Sequence, residues 1–180
     1  MIGGVLRMGG PGRHLTHVDA RGRATMVDTA AKDESDRRAT ARGRVIMAPA
    51  TLDLVLGGGL PKGDVLACAR IAGIMAAKRV HELIPLCHPL PLAAARVAFR
   101  RGPRAGVLEI EAESHVTART GAEMEALTAV AVAALTVYDM CKAVDRGIVI
   151  GDIRLAAKSG GRSGDFRRDG EEPWGEGELL

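Results

Sequence analysis

Asp139 and Lys142 stand three residues apart in the stretch Tyr138-Asp139-Met140-Cys141-Lys142. On a helix, that spacing puts both side chains on one face. A carboxylate and an ammonium so placed tune each other's proton affinity and can serve as base and acid. The competing reading is a surface ion pair worth about 0.3 kcal/mol. The context favours chemistry: the preceding run ALTAVAVAALTV is apolar on nearly every side, and charges in such a helix are seldom idle.

Four other stretches carry chemically useful residues. Lys158-Ser159-Gly160-Gly161-Arg162-Ser163-Gly164-Asp165 joins cations to glycines that free backbone N–H groups for an anion. It lacks the G-x-x-x-x-G-K-[ST] phosphate-loop pattern, and a flexible strand exit is the alternative. Leu86-Cys87-His88-Pro89 lies in a proline-rich loop, where His88 suits an acid, a base or a donor, or simply a structural turn. His81-Glu82 begins an H-E-x-x-H pattern, but Pro85 occupies the place of the second histidine, so no zinc motif results. Glu123, Met124 and Glu125 open the long helix, where acidic side chains also serve the helix dipole. Lys62 precedes a helix start, a position that suits an anion.

Geometry constrains how these stretches combine. Glu125 and Asp139 are 14 positions apart, roughly 21 Å along one helix at about 1.5 Å per residue. One small-molecule site cannot easily use both ends of one copy. If both contribute, the site lies between subunits. A helix apolar all round independently demands cover on both sides.

These residues need a scaffold, and 180 residues are enough for one domain with a self-sufficient core. Hydrophobic residues make up 47% and aromatics only 2%, so Ala, Val, Leu, Ile and Met must build that core. The net charge of +3 suits ordinary solubility or an anion site. Scarce aromatics argue against a single-strand nucleic-acid binder, which needs stacking platforms. Cys68, Cys87 and Cys141 form neither a disulfide framework nor a zinc pattern, which fits a reducing compartment. No charge-free apolar run reaches membrane length, and MIGGVLRMGGPGRH is too weakly apolar for a signal peptide.

Residues 42–48 read as a short strand, after a stretch, 25–40, with no clean period. Pro49 and Thr51 open a helical turn that Gly57-Gly58-Gly59 stops. Asp64 is a plausible N-cap for a helix with Val65, Ala69, Ala72, Met75 and Ala76 on one face. Three prolines make 81–92 a rigid loop. Residues 95–100 and 107–119 alternate as strands. Leu108, Ile110, Ala112, Val116 and Ala118 face one way; Glu109, Glu111, Glu113, His115 and Arg119 face a wet or interfacial side. A helix over about 122–145 ends at Gly147, and 148–156 give a last strand. The order β-α-β-β-α-β predicts an α+β, ferredoxin-like fold, an antiparallel sheet on two long helices with a short extra helix. Residues 1–14 read as a flexible extension, 15–166 as the catalytic domain, and 167–180 as a flexible charged tail.

Together, KGDVLACARIAGIMAAKR, LIPLCHPL, GAEMEALTAVAVAALTVYDMCKAV and LAAKSGGRSGDF resemble the cyclic pyranopterin monophosphate synthase family, the molybdenum cofactor biosynthesis protein C family. The resemblance spans about residues 15–166. It implies a ferredoxin-like lyase, cytoplasmic, assembled as a hexamer (a trimer of dimers) with sites at subunit interfaces. It implies conversion of a cyclised dihydroguanosine triphosphate to cyclic pyranopterin monophosphate with release of pyrophosphate. The family's catalytic aspartate falls on Asp139 and its partner lysine on Lys142. Substrate-binding positions fall on Leu86, Cys87 and His88, on Met124 and Glu125 with Glu123 beside them, and on Lys62 and Lys158. No tightly bound cofactor and no protein metal site are implied, with Mg2+ accompanying the triphosphate left open; neither nucleic acid nor membrane is an expected partner. Arg162 joins the lysines as a candidate cation for pyrophosphate. The rivals are an RNA-binding module of the same fold, for which exposed aromatics are too few, and a domain that binds nucleotide without turning it over.

Overall fold

A computed structural model describes residues 21–175 and 179–180; the N-terminal extension read at 1–14 lies outside them. Alternation in the first strand, β1 (Ser35–Ile46), sets the frame. Ala39, Ala41 and Val45 point to the core, while Arg38, Thr40, Arg42 and Arg44 point to the opposite face. The chain continues through helix α1 (Pro49–Leu56), helix α2 (Val65–Ala77), a one-turn helix α3 (Val80–Leu83), strands β2 (Ala94–Arg101) and β3 (Val107–Ala118), helix α4 (Glu123–Cys141), strand β4 (Val149–Ser159) and a two-residue strand β5 (Phe166–Arg167).

The sheet is antiparallel with order β2-β3-β1-β4-β5. Without β5 this is the split βαβ arrangement of a ferredoxin-like fold. β1 and β3 pair over twelve residues, Ser35 opposite Ala118 through Ile46 opposite Val107. α2 and α4 lie side by side on one sheet face, over a core of Val45, Phe99, Leu108, Ile110, Val130 and Val137. Small residues let the helices approach closely: a Cβ on Gly73 would lie 2.8 Å from the Ala129 carbonyl oxygen. Asp64 caps α2 by accepting the Ala67 N–H at 2.9 Å. By length and composition α4 could cross a membrane; here Val130, Ala133, Ala134 and Val137 are buried against the sheet and α2.

Several elements differ from the sequence reading. β1 begins at Ser35 rather than near 42, because Arg37 and Arg38 mask the alternation before Ala39. On α2, Met75 is 53% exposed, while Gly73 and Ala77 are buried, so the inward face is turned toward α4. His81 and Glu82 sit in the helical turn α3 rather than in loop. α4 ends at Cys141 with Lys142 as its C-cap, not at Gly147. The acidic face of β3 is not uniformly wet: Glu111 is 4% exposed.

The cover over Glu111 comes from the tail, which is not without structure in residues 166–175. After β5, the Arg168 N–H bonds the Ala156 carbonyl of β4. Arg42 of β1, itself 6% exposed, pairs with Glu111 at 2.6 Å and with Glu171 at 2.7 Å, and donates to the Glu172 carbonyl at 2.7 Å. Trp174 stacks against the guanidinium of Arg42 at 5.0 Å and that of Arg100 on β2 at 4.2 Å. Leu180 donates its N–H to the Phe99 carbonyl of edge strand β2 at 2.9 Å. Residues 168–174 thus meet β4, β1 and β2 in turn across the face opposite the helices, and Leu180 lies at the β2 edge.

Candidate active site

The last turn of α4 presents Asp139, and the first residue beyond it is Lys142. The i, i+3 spacing brings Lys142 Nζ to 2.6 Å from Asp139 Oδ1. Lys62, from the loop between α1 and α2, reaches the other oxygen, Oδ2, at 2.8 Å and the Asp139 carbonyl oxygen at 3.0 Å. Buried Leu60, two residues before Lys62, anchors that loop in the core. Asp139 therefore sits between two ammonium groups, on the surface. The hydrogen bonds from Lys142 and then Lys62 hold its carboxyl down to about 2, and Asp139 in turn raises Lys142. At neutral pH Asp139 is ionised and Lys142 protonated.

The other end of α4 builds a second cluster. Ser114 on β3 donates its hydroxyl to the Ala122 carbonyl at 2.7 Å, which fixes the start of the helix. Met124 and Glu125 then line a cavity of about 260 Å³ with Leu86, Cys87 and His88. His88 donates from Nε2 to the Val27 carbonyl at 2.8 Å, which sets its tautomer. Glu125 is 3% exposed. Burial pushes its carboxyl up to about 7, and Glu123 adds to the rise. Burial, with Glu125 nearby, also pushes the Cys87 thiol up.

Glu123 links this cavity to a larger one of about 600 Å³ on its other side. There Lys158 Nζ lies 3.0 Å from Glu123 Oε1 and 2.8 Å from Ser163 Oγ. Lys32, Arg37, Arg119 and Arg162 complete its cationic lining. The glycine turn is required by space as well as by φ. Gly160 has φ 86°, and a Cβ there would fall 2.0 Å from the Asp36 carbonyl oxygen; at Gly161, φ 78°, it would fall 2.2 Å from Arg37 Nη1. The shape of this rim, with its charge, suits a polyanion.

The structure thus joins Lys62, Asp139 and Lys142 at one end of α4, and Leu86, Cys87, His88, Glu123, Met124, Glu125 and Lys158 at the other. It does not join the two groups within one chain. Lys32, Arg37 and Arg119 escaped the sequence reading: the first two sit where charge hides the start of β1, and Arg119 was placed only on a wet strand face. Among the described residues, no three His, Cys, Asp or Glu side chains converge on a point.

Fold and clusters together define an α+β scaffold of the ferredoxin-like type with a Lys–Asp–Lys cluster at one end of α4 and a cation-lined cavity at the other. Residues 26–161 match the MoaC family. The chain is 60% identical to the cyclic pyranopterin monophosphate synthase of Pelotomaculum thermopropionicum, over 90% of this chain and 95% of that protein. It is 61% identical to the synthase of Chloroflexus aggregans, over 90% and 98%, and 63% identical to that of Thermomicrobium roseum, over 88% and 95%. The chain belongs to the MoaC family. It is an enzyme, a lyase of molybdenum cofactor biosynthesis. The matched segment includes every residue of both clusters and stops before Arg162 and the tail.

Proposed function

We propose that the chain converts (8S)-3',8-cyclo-7,8-dihydroguanosine 5'-triphosphate to cyclic pyranopterin monophosphate and pyrophosphate, by acid/base chemistry at a site shared between subunits. The observation that carries this reading is the cluster Lys62–Asp139–Lys142, a carboxylate held between two ammonium groups. Opening the imidazole part of the purine, forming the pyran ring and closing the cyclic phosphate each move protons. Clamped at about 2, Asp139 is a weak base. An arriving triphosphate competes for Lys62 and Lys142, loosens the clamp and makes Asp139 more basic where the proton must be taken. Lys142, protonated, returns a proton. The charge that builds on departing pyrophosphate calls for cations, and Lys158, Arg162 and Lys62 supply them.

The separation of the two clusters supports the shared site. Asp139 and Glu125 lie roughly 21 Å apart along α4 at about 1.5 Å per residue, beyond the reach of one nucleotide-sized ligand. A neighbouring copy brings its Glu125 end to this copy's Asp139. We take the assembly to be a hexamer, a trimer of dimers, working in the cytoplasm on a small molecule, with neither nucleic acid nor membrane as partner. It holds no cofactor tightly; a Mg2+ ion bound to the triphosphate belongs to the substrate. Supplying the cyclised nucleotide tests the reading: pyrophosphate and a pterin that fluoresces after oxidation should appear together. Binding without pyrophosphate release would overturn it.

A further inference from the structure

The turn after α4 is tied down by a carboxylate outside both clusters. Asp145 Oδ2 accepts the Ala48 N–H at 2.9 Å and the Thr51 hydroxyl at 3.2 Å, and its Oδ1 accepts the Gly147 N–H at 2.9 Å. Ala48 is the N-cap of α1, has no capping side chain of its own, and is followed by Pro49 at the first helical position. Asp145 therefore supplies from across the chain the acceptor that α1 lacks. Its own N–H bonds the Cys141 carbonyl at 3.0 Å, which closes the turn that holds Lys142.

Two segments carry the acid/base cluster: α1 with the loop that bears Lys62, and the end of α4 with its turn, bearing Asp139 and Lys142. Lys62 joins them at one place and Asp145 at another. Between these points, Leu52, Val55, Leu60, Met140 and Cys141 share the core. Asp145 holds the start of the α1 segment to α4 and Lys62 holds its far end, while the Asp53–Arg101 contact ties α1 to β2 instead. Asp145 and Lys62 together fix the segment's distance from the end of α4.

We propose that Asp145 is a positioning residue for the acid/base cluster, holding the α1–Lys62 segment against the Lys142 turn so that both ammonium groups stay on Asp139. The inference rests on the assignment of that cluster as the reaction centre, but it can be tested apart from turnover. The groups facing Asp139 are Lys62 and Lys142, and its titration reports their distance directly. Carbonyl-carbon NMR of the full chain, with Asp139 identified by loss of its signal in Asp139→Asn, follows the carboxyl from pH 3 upward. Wild type should show almost no titration. In Asp145→Ala the midpoint should move up toward the ordinary carboxylate value of about 3.9. Thr51→Val, which removes one contact from the α1 side, should give a smaller shift of the same sign. Asp145→Asn, which keeps an acceptor for Ala48 and Thr51, should restore most of the wild-type behaviour. Synthase kcat should fall about 10- to 100-fold in Asp145→Ala, with recovery in Asp145→Asn.

An Asp139 midpoint unmoved in a folded Asp145→Ala, with only thermal stability lowered, would make Asp145 a plain helix cap and overturn the proposal. If Asp145→Ala does not fold, an unmoved midpoint in Thr51→Val overturns it equally. Should Asp139→Asn and Lys142→Ala keep full activity, the reaction centre itself is misassigned, while the midpoint still judges the clamp.

Discussion

Burial of Glu125 in the first turn of α4 has a consequence for stability. Its carboxyl is pushed from the usual 4.5 to about 7 in the folded chain. The folded state then binds the proton more tightly than the unfolded state does, so this contribution is complete below about 4.5 and is lost as pH rises through about 7. Glu125→Gln should therefore raise the melting temperature more at pH 8 than at pH 5; equal gains at both would show that the carboxyl is already ionised at pH 5. Asp139 works in the opposite direction. With its folded value lowered, its contribution is present above the ordinary carboxylate range and disappears only as pH falls toward 2. Lys142→Ala should abolish turnover and leave the circular dichroism spectrum unchanged, and retained activity would sink the role given to it. At this scale the sequence was most readable where chemistry needs local spacing: Asp139 and Lys142 are neighbours because a helix makes them so. That Lys62 would join them was legible only as a lysine beside a helix start. Asp145 was invisible, since its partners lie 94 and 97 positions away.

Elements followed their periodicity wherever one face alone decides burial. β2 and β3 were plain from alternation, and Asp64 marked the start of α2. β1 was half seen because its outer face is arginine-rich from Arg38 onward, and an inner face that begins with Arg37, Ala39 and Ala41 leaves little hydrophobic signal. The end of α4 was set too late, because the glycine that seemed to stop it lies beyond a turn closed by backbone bonds from Val144 and Asp145 to Cys141. The inward face of α2 was misjudged for a related reason: a glycine, not a methionine, makes the closest contact. Gly73→Leu should accordingly cost about 1–3 kcal/mol, with the larger side chain forced against Ala129 and Ala133. Urea denaturation measures it, and an unchanged midpoint would mean that α2 and α4 part without penalty.

Across the whole molecule, the distance between the two clusters makes a prediction about mixtures. Lys142→Ala lacks one half of a site and Lys158→Ala the other, so each should be inactive alone. Unfolding and refolding them together should restore part of the activity, since some interfaces regain two intact halves; no recovery would argue for a site within one chain. The tail was the least legible part of the fold. Its charges and glycines suggested a solvated end, but opposite charges on the sheet give them partners. Glu171→Ala removes bonds to Arg42 and Arg154 and should cost about 1–3 kcal/mol, checked by the same denaturation.

The tail also changes what the sheet offers to its surroundings. β2 lies at one margin, where a strand's free carbonyls and N–H groups can recruit a stranger's backbone. Leu180 occupies the Phe99 carbonyl on that margin, and the Arg70 guanidinium bonds the Leu180 oxygen at 2.8 Å. Leu180 thus stands at one point of that margin like a stitch in a hem, occupying a carbonyl that a foreign strand would need. A chain cut after Arg167 would keep the helices and both clusters but lose that stitch together with Glu171 and Trp174, and light scattering should show it clumping at a lower temperature than the 180-residue chain.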